Sequence, residues 1–177
     1  MRVLFGVLFA GLAAFALNAG TIAASDVEVK GPHICCAGCV KVVKSILGKV
    51  DGVSDVKADA KTKTVNFTAK DDGAAKAGLK ALLDGGFFGA ATNDAKEMKI
   101  EVATPKKGEK ADTVTVKNVH ACCGTFHKAI KGLFKDAKVT IEGDGPQRTV
   151  VVEGPGLECR AVIEALRKTG FNGTVEK

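Results

Sequence analysis

The sequence predicts an α+β protein made of two successive copies of the order strand, helix, strand, strand, helix, strand. Three observations carry that prediction. Residues from Val27 onward align without a gap to those from Val114, so that Val29 meets Val116, Lys30 meets Lys117, His33 meets His120, and Cys35-Cys36 meets Cys122-Cys123. Each copy alternates between strand-like and helical spacing of its apolar residues in the same order. After a small shift, Gly86-Phe87-Phe88-Gly89 also lines up with Gly170-Phe171-Asn172-Gly173. A long self-similar period marks two like structural units.

The chain starts Met1-Arg2, runs apolar from Val3 to Leu17, and reaches small residues at Asn18 to Ala24 before its first acidic residue, Asp26. A charged start, a short apolar core and a small-residue stretch read as a secretory signal peptide over residues 1–24, with Thr21 and Ala23 suiting a cut before Ala24. The apolar run falls short of the roughly 20 residues of a membrane span, so no membrane insertion is expected once the leader is removed, a retained N-terminal anchor being the alternative reading of the same stretch. The predicted location is the periplasm or the extracellular space.

Within residues 25–103, Val27 and Val29 alternate with polar neighbours in a first strand that ends near Pro32. Val40, Val43, Ile46 and Leu47 recur at helical spacing, and Gly48 suits the helix end. Val53 and Val56 begin a strand, Ala60 to Lys63 form a polar turn, and Val65 and Phe67 return. Asp71 and Asp72 offer caps and favourable negative charge to a second helix carrying Ala75, Leu79, Leu82 and Leu83. Gly85-Gly86 stops that helix, and a last strand follows from Phe88. Met98 to Val102 alternates once more, either extending this sheet or touching the second unit.

Residues 104–111, polar and containing Pro and Gly, form the expected linker. In residues 112–177 the order recurs: a strand at Val114 and Val116, and a helical face of Ala129, Ile130, Leu133 and Phe134. A hairpin follows from Val139 and Ile141 to Val150 and Val152, then a helix with Leu157, Val162, Ile163 and Leu166 before Gly170-Phe171. This order is the ferredoxin-like βαββαβ plan, an antiparallel four-stranded sheet covered on one face by two helices, here in tandem.

The formal net charge of +6 falls to +5 when Arg2 leaves with the leader, and the lysines are dispersed among Asp and Glu. Trp and Tyr are absent, which argues against a stacking surface for nucleic acid. No catalytic triad or phosphate loop is present, so the protein reads as non-enzymatic. Six cysteines in an exported chain would ordinarily mean a disulfide framework. Here Cys35, Cys36 and Cys39 crowd one loop, Cys122 and Cys123 are adjacent, and only Cys159 stands apart. Bridges within such short loops constrain little of the unfolded chain, so the thiols point to local chemistry.

The loop between first strand and first helix carries Cys36 near the helix start and Cys39 about one turn in. Their sulfurs can converge there, and the free N–H groups and positive dipole end of the helix favour the thiolate. Thiolates are soft donors suited to Cu(I), Zn(II) and other thiophilic ions. At this point His33-Ile34-Cys35-Cys36-Ala37-Gly38-Cys39 resembles the Gly-Met-x-Cys-x-x-Cys loop of heavy-metal-associated domains. That family includes copper chaperones, modules of copper-transporting ATPases and periplasmic mercury-binding proteins. The resemblance implies two-thiolate binding by Cys36 and Cys39 of Cu(I) foremost, with Zn(II) or Hg(II) as other cargoes. It also implies exchange with a metal-transporting membrane protein or another metallochaperone.

The chain departs from the family pattern in ways that bear on the ligands. Ile34 stands where the family has a buried Met, while His33 and Cys35 add a possible imidazole ligand and a third thiol. In the second copy Phe126 occupies the place of Cys39, and His127, four residues after Cys123, shares its helical face. Two readings of that copy stand: a metal site made from Cys122, Cys123, His120 and His127, or a degenerate repeat kept for packing with Phe126 in the core. Cys159 reads as a small buried apolar residue. The Gly-Phe loops at Phe87 and Phe171 read, by analogy with the family, as support beneath the cysteine loops. The rival reading of the whole is an envelope thiol-disulfide or structural interaction protein, since Cys-x-x-Cys also occurs as a redox pair.

Overall fold

The computed structural model describes residues 24–176, so all but the last residue of the expected leader lies outside the described residues. Its elements are β1 (Ser25–Lys30), α1 (Ala37–Leu47), β2 (Val53–Asp59), β3 (Thr64–Ala69), α2 (Asp72–Asp84), β4 (Ala90–Asn93) and β5 (Lys96–Met98). They continue as β6 (Lys110–His120), α3 (Gly124–Leu133), β7 (Lys138–Glu142), β8 (Gln147–Glu158), α4 (Cys159–Lys168) and β9 (Thr174–Glu176). The strands form two sheets, ordered β2-β3-β1-β4-β5 and β7-β8-β6-β9. Every strand pairing within them is antiparallel. With its four helices, this mixed arrangement is compatible with the ferredoxin-like fold. No helix among the described residues is long and apolar enough to cross a membrane.

The register explains why the valines alternate. Val27 lies opposite Phe67 and Val29 opposite Val65, and all four are buried. Each such side chain contributes about 1.5–3 kcal/mol by leaving water. In the second sheet Val114 pairs with Val152 and Val116 with Val150, again all buried. The inward residues of both sheets and of the four helices join in one contiguous buried cluster rather than two separate cores.

Helix α2 starts as its acidic residues dictate: the Asp71 carboxylate accepts the Ala74 N–H at 2.7 Å, and Gly85 caps the other end. Helices α1 and α3 differ, because their N-cap residues are Cys36 and Cys123, and neither side chain makes a capping hydrogen bond. The N–H groups that a Ser or Asp would satisfy are left facing the thiols.

The segment from Met98 to Val102 joins the first sheet only at its start, because β5 ends at Met98. Met98 extends the first sheet by pairing with Ala91. Further on, the Arg167 guanidinium of α4 donates to Ala103 O and Thr104 Oγ1, both at 2.8 Å. The structure also lengthens two strands beyond the apolar residues that announced them. β6 begins at Lys110, and β8 continues through Pro155 and Leu157, a residue expected in the last helix. Lys110 pairs with Glu158 and Ala111 with Leu157, so the long arms are secured by each other.

The two halves meet through their Gly-Phe turns. Phe87 and Phe171 form an isolated antiparallel bridge between the sheets. Asn172 N–H donates to Gly86 O at 2.9 Å, and Phe88 N–H donates to Gly170 O at 3.0 Å. Corresponding residues thus make reciprocal bonds. The His33 N–H also donates to Gly170 O, at 3.0 Å, tying the cysteine loop of one half to the turn of the other.

Candidate metal centre

Ile34 is buried and pins the loop that leaves β1, so the next five residues must turn into α1 at the edge of the core. Cys36, in extended conformation, caps the helix, and Cys39 lies fully buried in its first turn. Their sulfurs are 3.5 Å apart, and that of Cys35 is 4.0 Å from Cys39. The three sulfurs all lie within 4.8 Å of one another. The second loop repeats the design, with Cys123 as the extended cap of α3 and Cys122 just before it.

What the linear sequence did not show is that the two loops face each other. Cys35 Sγ is 3.7 Å from Cys123 Sγ, and Cys39 Sγ is 3.8 Å from Cys122 Sγ. Five thiols thus make one cluster across the two halves, and all six cysteines are free. Cys159 is separate from it, buried at the start of α4 with its N–H donating to Glu109 O at 2.9 Å.

The histidines take three different positions. His33 Nδ1 donates to Thr169 O at 3.0 Å, and its ring stacks on Phe171 at 4.3 Å and meets the edge of Phe126 at 4.6 Å. His127 Nε2 donates to Ala121 O at 3.2 Å. His120 is wholly buried and stacks on Phe87 at 4.4 Å, yet neither ring nitrogen has a hydrogen-bond partner among the described residues. A ring nitrogen of His120 lies within 4.8 Å of the sulfurs of both Cys39 and Cys122. The Gly-Phe turns are therefore exchanged: Phe87 stacks on the histidine of the second loop and Phe171 on that of the first. Phe126, in the place of a cysteine, is buried between them, with centroids 5.5 Å from His120 and 5.5 Å from Phe171.

Electrostatics sort the thiols into two kinds. The Cys39 and Gly38 amides at the start of α1 and the neighbouring Cys39 thiol hold Cys36 below the ordinary thiol range, although no amide meets the geometry of a capping bond. Cys123 is also lowered: burial works against it, but the amides of Phe126 and Thr125 and the Cys35 thiol outweigh that cost. Cys35 is raised, first by loss of water around its sulfur and then by Cys123 and Cys39. Burial, followed by Cys39, pushes Cys122 up to about 12. Each loop thus pairs a ready thiolate with a thiol that ionises only when a cation compensates it. Burial also holds both site histidines below the ordinary imidazole range, His120 at about 4, so the His120 imidazole is neutral at physiological pH and retains a lone pair for a ligand.

The donor set is chemically selective. Soft sulfurs with a neutral imidazole suit d10 ions such as Cu(I), Zn(II) and Hg(II), and not hard cations that require oxygen. Among the described residues no carboxylate belongs to either group of candidate ligands.

No curated protein matches the chain. Among solved structures, an aspartate kinase of Clostridium acetobutylicum, titled an allosteric enzyme, overlaps 82% of this chain at 11% identity and a TM-score of 0.25. This chain spans 31% of that one, and so weak a likeness carries no argument. The informative match is to a family: residues 32–84, from the start of the first cysteine loop to the end of α2, match the heavy-metal-associated domain, which suggests heavy-metal binding by this segment.

Proposed function

We propose that the protein is an exported, non-enzymatic binder of a thiophilic ion, Cu(I) foremost and Zn(II) or Hg(II) otherwise, which it captures and then transfers or sequesters. Its ligands are Cys36 and Cys39, with Cys35 as the third thiolate. The observation that carries this reading is the convergence of these three sulfurs at the start of α1, inside the segment matched to the heavy-metal-associated domain. Export rests on the leader pattern of residues 1–24. The equal order of β2-β3-β1-β4 and β7-β8-β6-β9 supports a second, altered copy of the same unit in residues 112–177. Exchange with a metal transporter or another metallochaperone fits the exposure of Cys35 and the partial exposure of Cys36, which leave an incoming thiolate a path to the ion.

Titrating the reduced protein with Cu(I) against a competing chelator tests this. A Cys36→Ser, Cys39→Ser double variant should keep its circular dichroism and lose more affinity than the roughly 10–100-fold that an outer-sphere partner costs. Equal uptake by variant and wild type would sink the assignment. A second reading, dithiol exchange with an external disulfide, is favoured by the 3.5 Å approach of Cys36 to Cys39. It would transfer two electrons and two protons to that disulfide, and thiol trapping in a redox buffer with no metal uptake would establish it in place of the first.

A further inference from the structure

We propose that Cys39, Cys122 and His120 form a second metal site that spans the two halves, with Cys39 as the thiolate shared between it and the ion held by Cys35 and Cys36. The inference takes from the soft-metal reading the kind of ion and the three-thiolate site with which Cys39 is shared. Its own ground is His120. An imidazole wholly removed from solvent, with neither nitrogen bonded among the described residues, is an anomaly, because buried polar groups are almost always satisfied. One nitrogen lies within 4.8 Å of two sulfurs from different loops, which gives the anomaly a chemical purpose.

The spacing fits an ion. Two sulfurs each about 2.3 Å from a tetrahedral metal are about 3.8 Å apart, and Cys39 and Cys122 are 3.8 Å apart. The ring is held where a ligand must be held, since Phe87 stacks on it from the first half and Phe126 meets it edge-on from α3. Cys39 is suited to bridging because it alone approaches Cys35, Cys36 and Cys122 within 4.0 Å. Soft thiolates carry enough electron density to bind two d10 ions at once. An ion on this second site would clasp residues 83 apart in sequence and fix the facing loops as one centre.

The test uses the full reduced mature chain, labelled with 15N at histidine, and 113Cd(II) as the probe. Native mass spectrometry should show two cadmium ions per chain, with two 113Cd resonances and a scalar coupling between one of them and the His120 imidazole nitrogen. Cys36→Ser should retain one ion, still coupled to His120. Cys122→Ser, a near-isosteric change at a half-buried position, should retain one ion and lose the coupling. One ion in wild type with no imidazole coupling overturns this inference while leaving the three-thiol site standing. One ion coupled to His120 and unaffected by Cys36→Ser would uphold the Cys39, Cys122 and His120 ligands but overturn the sharing of Cys39 and, with it, the three-thiolate site. Because the coupling is read in the wild-type protein, the assignment of His120 as a ligand does not depend on any variant folding.

Discussion

Replacing Gly86 by Ala tests how tightly the two halves are registered, and so what holds the facing thiols in place. Gly86 has φ +87, a left-handed conformation that costs an ordinary residue about 1–2 kcal/mol. An added methyl would also meet backbone: it would lie 2.5 Å from Asn118 O and 3.0 Å from Val119 C, and closer still to His120 N. These atoms belong to the end of β6 and cannot swing away as a side chain can. Separating the halves to relieve the overlap breaks the bond from Asn172 N–H to Gly86 O, worth about 1 kcal/mol. The loss should therefore be about 2–4 kcal/mol. Gly143→Ala supplies the control, because Gly143 has φ +92 but open space around its would-be methyl. It should cost only the backbone strain. Urea unfolding of the reduced, metal-free proteins, followed by circular dichroism, measures both. Equal losses for Gly86→Ala and Gly143→Ala would refute the close packing of the halves. Gly170→Ala, whose methyl would lie 2.5 Å from His33 N, should repeat the Gly86 result.

Two further predictions concern protons. Brief iodoacetamide treatment of the reduced apoprotein at neutral pH, read by peptide mass spectrometry, should label Cys36 and Cys123 before Cys35 and Cys122, because thiolate fraction governs the rate and the first two are lowered while the others are raised. Preferential labelling of Cys35 or Cys122 would contradict the assigned roles of the helix N-termini. For pH, His120 falls from 6.5 when unfolded to about 4 when folded, so between those values the unfolded chain holds more protons and stability rises with pH. The contribution is full above about pH 6.5 and disappears as pH falls toward 4, with about 2 kcal/mol lost between pH 7 and 5. Burial lowers His33 too, which adds a loss of the same sign. Urea unfolding of the metal-free protein at the two pH values should show the loss, and His120→Phe should remove most of it; an unchanged slope in that variant would assign the effect elsewhere.

The elements could be read from the sequence because each answers to its own neighbours. Alternating Val27 and Val29 require a strand with one dry face, and Asp71 requires a helix to start beside it, wherever the rest of the chain goes. The ends of β6 and β8 were hidden for the opposite reason: polar Lys110 and Glu158 are ordered by each other and carry no apolar signature. The site divides along the same line. That Cys36 and Cys39 converge follows from helical geometry within one loop, whereas the approach of Cys35 to Cys123 and Cys39 to Cys122 depends on how two units dock. Yet a trace of that docking was present in the residues that align between the two halves. Surfaces that bury the same patch against each other place corresponding residues in reciprocal contact, as in an isologous dimer. Paired histidines, paired Cys-Cys dipeptides and paired Gly-Phe turns are what such an interface requires, and Gly86 and Gly170 sit where a β-carbon would strike the opposing backbone. Phe126 then has a reason for replacing a cysteine: beside His33, His120 and Phe171 it fills the middle of the interface, and Cys39 is left as the buried thiol on which both loops converge.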